Sequence, residues 1–155
     1  MDETDARLLE LLQANSQRTN AELAAQVGLS PAAVHKRLRR LRESGVIERY
    51  TVLLDPHKLG LDLMCFVDVR FKHNMSPANR RKLVAVLEAL PEVLECFTVT
   101  GDSDAIMKVL VRDQEHLKEF IERLAASQDV IERARTSLVL DRYKSTTALP
   151  VAARG

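Results

Sequence analysis

Residues 21–41 read AELAAQVGLSPAAVHKRLRRL, and this stretch predicts two helices joined by a tight turn. Apolar residues recur at helical spacing and give each helix one buried face. Gly28 can adopt the left-handed conformation that ends the first helix. Ser30 is a favourable N-cap for the second helix, and Pro31 is favoured in its first turn. Local chemistry alone therefore predicts where the first helix ends and the second begins.

The outward face of the second helix is small at its N-terminal end and cationic behind it. Residues 35–42 include five basic residues and no acid, whereas solvated helix faces usually mix both signs. This pattern is typical of a recognition helix, which enters the DNA major groove with its N-terminus leading. The candidate DNA-contacting residues are Ser30, Ala32, Ala33, His35, Lys36, Arg37, Arg39 and Arg40. The alternative is a solvated helix face that has no nucleic-acid partner.

The composition indicates a globular protein of one domain or two small ones. The chain has 155 residues, 46% of them hydrophobic, so a substantial core is expected. The net charge of +1 does not by itself indicate a binding partner. No apolar run approaches the length of a membrane span, and the first three residues do not resemble the start of a signal peptide. Cys65 and Cys96 lie in apolar runs and predict free thiols, so a cytoplasmic location is expected.

Residues 1–52 predict a winged helix-turn-helix domain. An amphipathic helix over residues 2–14 comes first, and residues 19–22 match a capping box that opens the next helix. The third helix is expected to end near Ser44 and Gly45, and residues 46–54 are expected to form a strand. Three helices followed by a strand or short hairpin describe this fold.

Beyond a linker at 53–61, the pattern changes from helical to alternating, which predicts a second domain over 62–144 and a tail over 145–155. The predicted strands and helices are 63–71, 77–90, 93–100, 105–111, 114–125 and 131–143. Their order is βαββαβ, which folds as a ferredoxin-like sandwich. The whole chain is therefore predicted to be an α+β protein.

One face of the predicted sheet carries a signal for assembly. Met64, Phe66 and Ile106 are its apolar members, and charged residues alternate with them. Such a face is too apolar for open water and too charged for a closed core. A second sheet from a partner subunit would cover it, which predicts a homodimer. The alternative is a face that the chain's own termini cover.

Motifs along nearly the whole chain resemble those of one family. They are Asp5 with Leu8-Leu9, Glu22-Leu23-Ala24, Val27-Gly28-Leu29-Ser30, Arg37-Leu38, Gly45-Val46-Ile47, Leu54-Asp55-Pro56, Pro91-Glu92-Val93, Thr100-Gly101-Asp102 with Asp104, and Thr146-Thr147-Ala148-Leu149-Pro150. In this set the chain is similar to the Lrp/AsnC (feast/famine) transcriptional regulators of bacteria and archaea. That resemblance implies a winged helix-turn-helix joined to a βαββαβ effector domain of the ACT-like, or RAM, type.

The resemblance also implies a mode of action. Such regulators bind double-stranded DNA at pseudo-palindromic operators as dimers that assemble further, often to octamers, and many bind a free amino acid between effector domains. The residues that correspond to the effector site are Gly101, Asp102, Ser103, Asp104, Gln128 and Thr136. The family often has an aromatic residue where this chain has Ser103, so the preferred ligand side chain is expected to be larger or more polar than leucine.

Enzymatic chemistry is not expected. The four histidines are scattered without metal-site spacing, and the chain has neither a Gly-rich phosphate loop nor a nucleophile elbow. No metal and no cofactor are therefore predicted. Asp102 and Asp104 could act as an acid–base pair, but turn formation without any ligand is the simpler alternative. Two further alternatives are an effector-independent architectural DNA-binding protein and an enzyme similar to the sirohaem decarboxylases, which share this fold.

Overall fold

The computed structural model describes residues 1–72, 76–126 and 130–152, and it divides the chain into two units. The first unit consists of Met1–Leu53 and the C-terminal segment from Lys144 onward, and the second is Leu54–Tyr143. The elements are α1 (Glu3–Ala14), α2 (Asn20–Val27), α3 (Pro31–Glu43), β1 (Leu63–Phe71), α4 (Pro77–Glu88), β2 (Val93–Thr98), β3 (Ala105–Val111), α5 (Gln114–Ala125) and β4 (Ile131–Leu138). No helix in the described ranges is long and apolar enough to cross a membrane.

The helices of the first unit begin and end at the residues that favour capping. The capping box at Thr19 and Glu22 is present, and Gly28 ends α2 with φ +67°. The Ser30 hydroxyl accepts a hydrogen bond from the backbone N–H of Ala33 at 3.2 Å, which caps α3. The three helices share a core of Leu8, Leu11, Leu23, Ala24, Val34, Leu38 and Leu41. The capped turn predicted from the sequence is therefore confirmed.

The strand predicted over residues 46–54 does not form. The structure contains no helix or strand between Glu43 and His57, and Val52 and Leu53 are exposed. A strand needs a hydrogen-bonding partner strand. No described residue of the first unit provides one, so the apolar sequence pattern remains unpaired in a single chain.

The predicted C-terminal tail contacts the first helix of its own unit. The backbone N–H of Leu149 donates to Gln13 Oε1 at 2.6 Å, and Gln13 Nε2 donates to the Leu149 carbonyl at 2.9 Å. These two hydrogen bonds pair one side-chain amide with both backbone groups of a single residue. The segment that begins at Lys144 thus belongs to the helical unit rather than standing free.

The second unit is an antiparallel four-stranded sheet in the order β2-β3-β1-β4. Val67 at the centre pairs with Met107 of β3 and with Thr136 of β4. Alternate residues of β1 and β3 point to the side that α4 and α5 cover. The buried residues of this core are Cys65, Val67, Val69, Leu83, Leu90, Ala105, Met107, Val109, Val111, Phe120, Leu124, Val130 and Ile131. The predicted sandwich is confirmed.

The second unit differs from the sequence prediction at four points. The helix α4 ends at Glu88 instead of residue 90, and β2 ends at Thr98 instead of residue 100. Helical spacing predicts that Leu117, Phe120, Ile121 and Leu124 all face inward. Ile121 is 40% exposed, however, because Phe120 and Leu124 already fill the buried stripe of α5. The last strand ends at Leu138 instead of continuing to residue 143. Leu138 pairs with Cys65, which lies two residues after the start of β1, so little partner strand remains beyond it.

A nearly buried carboxylate joins the segment before β2 to α5. Glu92 Oε1 accepts hydrogen bonds from His116 Nε2 at 2.8 Å and from Arg123. The Arg112 backbone N–H donates to His116 Nδ1 at 3.3 Å, so the imidazole proton lies on Nε2. Burial raises the pKa of Glu92, but the hydrogen bonds from Arg123 and His116 outweigh it and hold that pKa below its usual value. The ionised form is therefore the one that the fold stabilises.

We expect Glu92→Gln to lower the free energy of unfolding by about 1.5–3 kcal/mol at pH 7, because hydrogen bonds to a charged group are lost. A carboxyl with a lowered folded-state pKa adds stability above its unfolded pKa of about 4.5. That contribution disappears as pH falls through the folded value. The difference between wild type and variant should therefore shrink on acidification, as measured by urea unfolding followed by circular dichroism.

Glu95→Gln is the matched control, because Glu95 pairs with Lys108 at 2.7 Å on a partly exposed strand. We expect a change below about 1 kcal/mol for this surface pair. Equal losses for the two variants, or a Glu92→Gln difference that grows at low pH, would contradict the role given to Glu92.

Candidate functional site

The outward face of α3 presents the predicted small and cationic residues to solvent. Ala32, His35, Lys36, Arg39 and Arg40 are exposed, and Ala33 is half-buried. Their spacing places them opposite the apolar residues that pack against the other two helices. The basic side chains therefore follow the small N-terminal turn along one exposed helix face.

The exposed cations of α3 differ in the partners they have. Arg39 Nε lies 2.7 Å from Glu43 Oε1, and both side chains are largely exposed. Lys36 forms no ion pair with any residue in the described ranges. The Asn20 side-chain amide lies 3.5 Å from His35 Nδ1, so α2 orients that ring. Within the described ranges, Lys36 is thus a cation of this face that has no ion-pair partner and is free to meet a ligand.

Two arginines of α3 contact carboxylates of α1, which the sequence patterns did not predict. Arg37 Nη1 lies 2.6 Å from Asp2 Oδ2 and 2.8 Å from Asp5 Oδ1. Arg40 Nη2 lies 2.6 Å from Asp5 Oδ2. The hydrogen bond from Arg37 lowers the pKa of Asp2, and its bonds to Asp2 and then Asp5 raise the pKa of Arg37. We call these four residues the acid–arginine network.

The network changes how two predicted DNA contacts are interpreted. Arg37 is only 27% exposed and directs its guanidinium to the carboxylates, so its contacts serve the packing of α1 on α3. Arg40 remains 61% exposed although it also reaches Asp5. The only sequence signal for this network is the presence of acids at the start of α1, Asp2 at the N-cap and Asp5 in the first turn, and the helix dipole also explains them. Arg40 thus keeps more of its side chain available to an external partner than Arg37 does.

The loop from Gly101 to Asp104 is tied to the neighbouring strand β1. Gly101 has φ +120°, a value that side-chain-bearing residues rarely adopt. Asp104 Oδ2 accepts a hydrogen bond from the Phe71 backbone N–H at 2.8 Å, and the Asp102 carbonyl accepts one from Arg70 Nε at 2.9 Å. The carboxylate of Asp104 therefore holds the loop in place.

The other two polar side chains of the loop, Ser103 and Asp102, differ in their partners. Ser103 Oγ donates to Asp68 Oδ1 at 3.3 Å, and Arg135 lies 3.6 Å from the other oxygen of that carboxylate. The Asp102 carboxylate has no hydrogen bond or ion pair with another described residue. Asp102 is therefore the loop carboxylate that is free to meet an external cation.

The structure does not bring all predicted effector residues together within one chain. Thr136 pairs with Val67, so alternation places it on the helix-covered side of the sheet. Ser103, by contrast, contacts Asp68, which points to the other side. Gln128 lies outside the described residues. The geometry within one chain thus supports the loop as one group and leaves Thr136 apart from it.

The side of the sheet away from the helices, here called the open face, carries the predicted dimer residues. Phe66 is 42% exposed, while Met64 and Ile106 are half-buried. Phe97 of β2 pairs with Ile106 and is also exposed, and the sequence prediction did not include it. The open face therefore carries apolar side chains that are exposed or half-buried.

Comparisons with known proteins match both units. Residues 1–48 match the family described as winged helix-turn-helix DNA-binding, and residues 64–149 match the Lrp/AsnC ligand binding domain. The HTH-type transcriptional regulator FL11 of Pyrococcus horikoshii is 32% identical over 151 residues, which cover 97% of each chain. The DNA-binding transcriptional activator DecR of Escherichia coli K12 is 35% identical over 97% of this chain and 99% of its own.

A solved structure extends the comparison to the fold. The transcriptional regulator NMB0573 of Neisseria meningitidis, crystallised as an L-Met complex, aligns with a TM-score of 0.90 at 33% identity. The alignment covers 97% of this chain and 96% of the Neisseria chain. Similarity of this extent shows a common architecture for both units.

The first unit is a capped helix-turn-helix of the DNA-binding type, and the second is an antiparallel βαββαβ sandwich that matches a ligand-binding domain. Together they define the class of DNA-binding transcriptional regulators with a ligand-binding domain. The chain belongs to the Lrp/AsnC family of transcriptional regulators. The resemblance, the α+β fold and the DNA-binding regulatory function predicted from the sequence are therefore confirmed.

Proposed function

We propose that the protein is a cytoplasmic, non-enzymatic regulator that inserts α3 into the major groove of a pseudo-palindromic operator. The observation that carries this proposal is the exposed face of α3, which is small at its N-terminus and cationic behind. Ala32, Ala33, His35 and Lys36 approach base edges, since the N-terminal part of a recognition helix leads into the groove. Arg39 and Arg40 contact phosphates farther along the helix.

The proposal is tested by comparing Lys36→Ala with Arg39→Ala. Arg39→Ala should weaken binding to all duplexes alike and flatten the dependence of log K on log salt by roughly one unit per lost phosphate contact. Lys36→Ala should instead reduce discrimination by about 1–3 kcal/mol, because a specific base contact is lost. The measurement is fluorescence anisotropy at several salt concentrations.

The duplexes should be an operator enriched from a random pool by the protein and a scrambled sequence of the same length. Lys118→Ala is a suitable control, because Lys118 is an exposed lysine on α5 in the other unit. It should leave both affinities unchanged. Equal losses of Lys36→Ala on operator and scrambled duplex would contradict its assignment to a base contact.

We further propose that a free amino acid binds at the loop from Gly101 to Asp104 and regulates assembly. The L-Met complex of the Neisseria regulator supports this ligand class. The Asp102 carboxylate can accept hydrogen bonds from the α-ammonium group of the ligand. Backbone N–H groups near Gly101 can donate to the α-carboxylate of the ligand. Both partners are needed, since either charge buried alone would be costly. Gln128 and Thr136 remain proposed contributors to the same site.

The same proposal includes assembly through the open face. Two copies of this chain pack open face to open face in a homodimer, and dimers associate further to an octamer whose junctions hold the amino acid. A ligand placed at such a junction shifts assembly only through its different affinities for the assembly states. A tenfold preference corresponds to about 1.4 kcal/mol.

A further inference from the structure

We infer that Asp5 is a positioning residue for DNA binding, which holds Arg40 in the orientation that meets a phosphate. This inference rests on the proposed role of α3 as the recognition helix. Asp5 itself is fully buried in the first unit and cannot touch DNA. Its effect on binding must therefore pass through the arginine side chains that it contacts.

The contacts of Asp5 tie the start of α1 to two successive turns of α3. Its Oδ2 atom accepts hydrogen bonds from Arg40 Nη2 at 2.6 Å and from the Asp2 backbone N–H at 3.1 Å. Its Oδ1 atom accepts from Arg37 Nη1 at 2.8 Å. Asp2 in turn accepts from the Asp5 backbone N–H at 2.8 Å, which completes the capping box. Both oxygens of a fully buried carboxylate are thus satisfied.

The two arginines have different roles in this network. Arg37 is mostly buried and bridges both acids, so it balances the charge of Asp5 inside the unit. Arg40 gives one of its two terminal nitrogens to Asp5, and its side chain stays 61% exposed. A guanidinium has five N–H donors in a planar fork, so the remaining donors can bind a phosphate while the carboxylate holds the group in place.

A positioning role and a pure net-charge effect predict opposite changes in DNA affinity when Asp5 is neutralised. If electrostatics alone determined affinity, Asp5→Asn would tighten DNA binding, because a negative charge near the phosphates is removed. If Asp5 positions Arg40, the same change should weaken binding although the protein becomes more positive. Glu43 is the matched acid: it pairs with Arg39 in an exposed i,i+4 bridge and lies in no buried network. Glu43→Gln should therefore leave affinity equal or higher.

The experiment measures binding of the full chain to its enriched operator by fluorescence anisotropy at several salt concentrations. We expect Asp5→Asn to weaken binding about tenfold and to flatten the salt slope by roughly one unit per half-site, as for a lost phosphate contact. Glu43→Gln should bind as tightly as wild type or more tightly. Circular dichroism must show that Asp5→Asn is folded at the assay temperature. A folded Asp5→Asn that binds like Glu43→Gln overturns the inference.

A second pair of variants decides the matter if Asp5→Asn does not fold. Arg40→Lys and Arg39→Lys both keep the charge on exposed side chains, but only Arg40 must reach a carboxylate and a phosphate together. We expect Arg40→Lys to weaken binding several-fold more than Arg39→Lys, and equal effects overturn the inference. Wild type that binds no duplex would instead contradict the proposed function, so the two failures are distinguishable.

Discussion

Phe66→Asp is expected to convert the protein to monomers and to abolish tight operator binding. Phe66 lies at the centre of the open face, where it pairs with Lys108 on one side and Ser137 on the other. In the proposed dimer the new carboxylate would be buried, and the neighbouring Lys108 is already paired with Glu95 at 2.7 Å, so the cost is about 3–5 kcal/mol per subunit. Two-fold symmetry applies this cost twice, so dimer affinity should fall by at least about ten-thousand-fold.

Operator binding should be lost with the dimer even though α3 is untouched. Two half-sites bound by one dimer act as a single tight site, whereas two monomers bind them independently. The measurements are sedimentation velocity for the oligomeric state and fluorescence anisotropy for the operator.

Ile121→Asp is the matched control for this variant. Ile121 is 40% exposed, close to the 42% of Phe66, but it lies on α5 in the helix layer. Ile121→Asp should therefore leave both the dimer and DNA binding intact. A Phe66→Asp protein that stays dimeric would show that the interface lies on another face.

Gly101→Trp is expected to prevent binding of the amino acid without unfolding the sheet. A Cβ atom at this position would meet nothing within 4 Å, so the indole would occupy the open space beside the loop. The steric conflict with a ligand there should weaken binding by at least about tenfold. The measurement is calorimetric titration of all twenty amino acids into wild type and variant, with sedimentation run in parallel.

Gly101→Ala separates backbone strain from occlusion. Any side chain at φ +120° is strained, so alanine carries that cost without the bulk. We expect the Gly101→Ala protein to bind the amino acid more tightly than the Gly101→Trp protein does. A ligand that binds Gly101→Trp and wild type equally would exclude the loop as the site. Absence of any binder below millimolar would favour an effector-independent, architectural DNA-binding protein.

The sequence predicted most elements of the fold because their causes are local. The cap at Ser30 and the left-handed Gly28 depend on neighbours within a few residues. The same is true of the alternation in β1, whose bounds matched the prediction. Local patterns failed where a partner was required: residues 46–54 have the composition of a strand but no strand to pair with in the described unit. The prediction that Ile121 faces inward was wrong, because α5 has more apolar residues than its buried stripe can hold.

The candidate DNA site was only partly determined by the sequence. Charge and helical spacing identified the outward face of α3, since both are properties of a single helix. The division between Arg37, which turns inward, and Arg40, which stays exposed, depends on Asp5, which is 32 and 35 residues away along the chain. A buried carboxylate needs hydrogen-bond partners, and only the packed helices show which ones it finds.

The same distinction applies to the second unit. By itself the sequence determined the βαββαβ order and the glycine that the loop needs, because periodicity and backbone conformation are local. Only the tertiary structure decided that Asp104 anchors the loop on Phe71, that Ser103 contacts Asp68 and that Thr136 lies on the other side of the sheet. Strand register decides these contacts, because a shift of one residue would exchange the faces of every side chain.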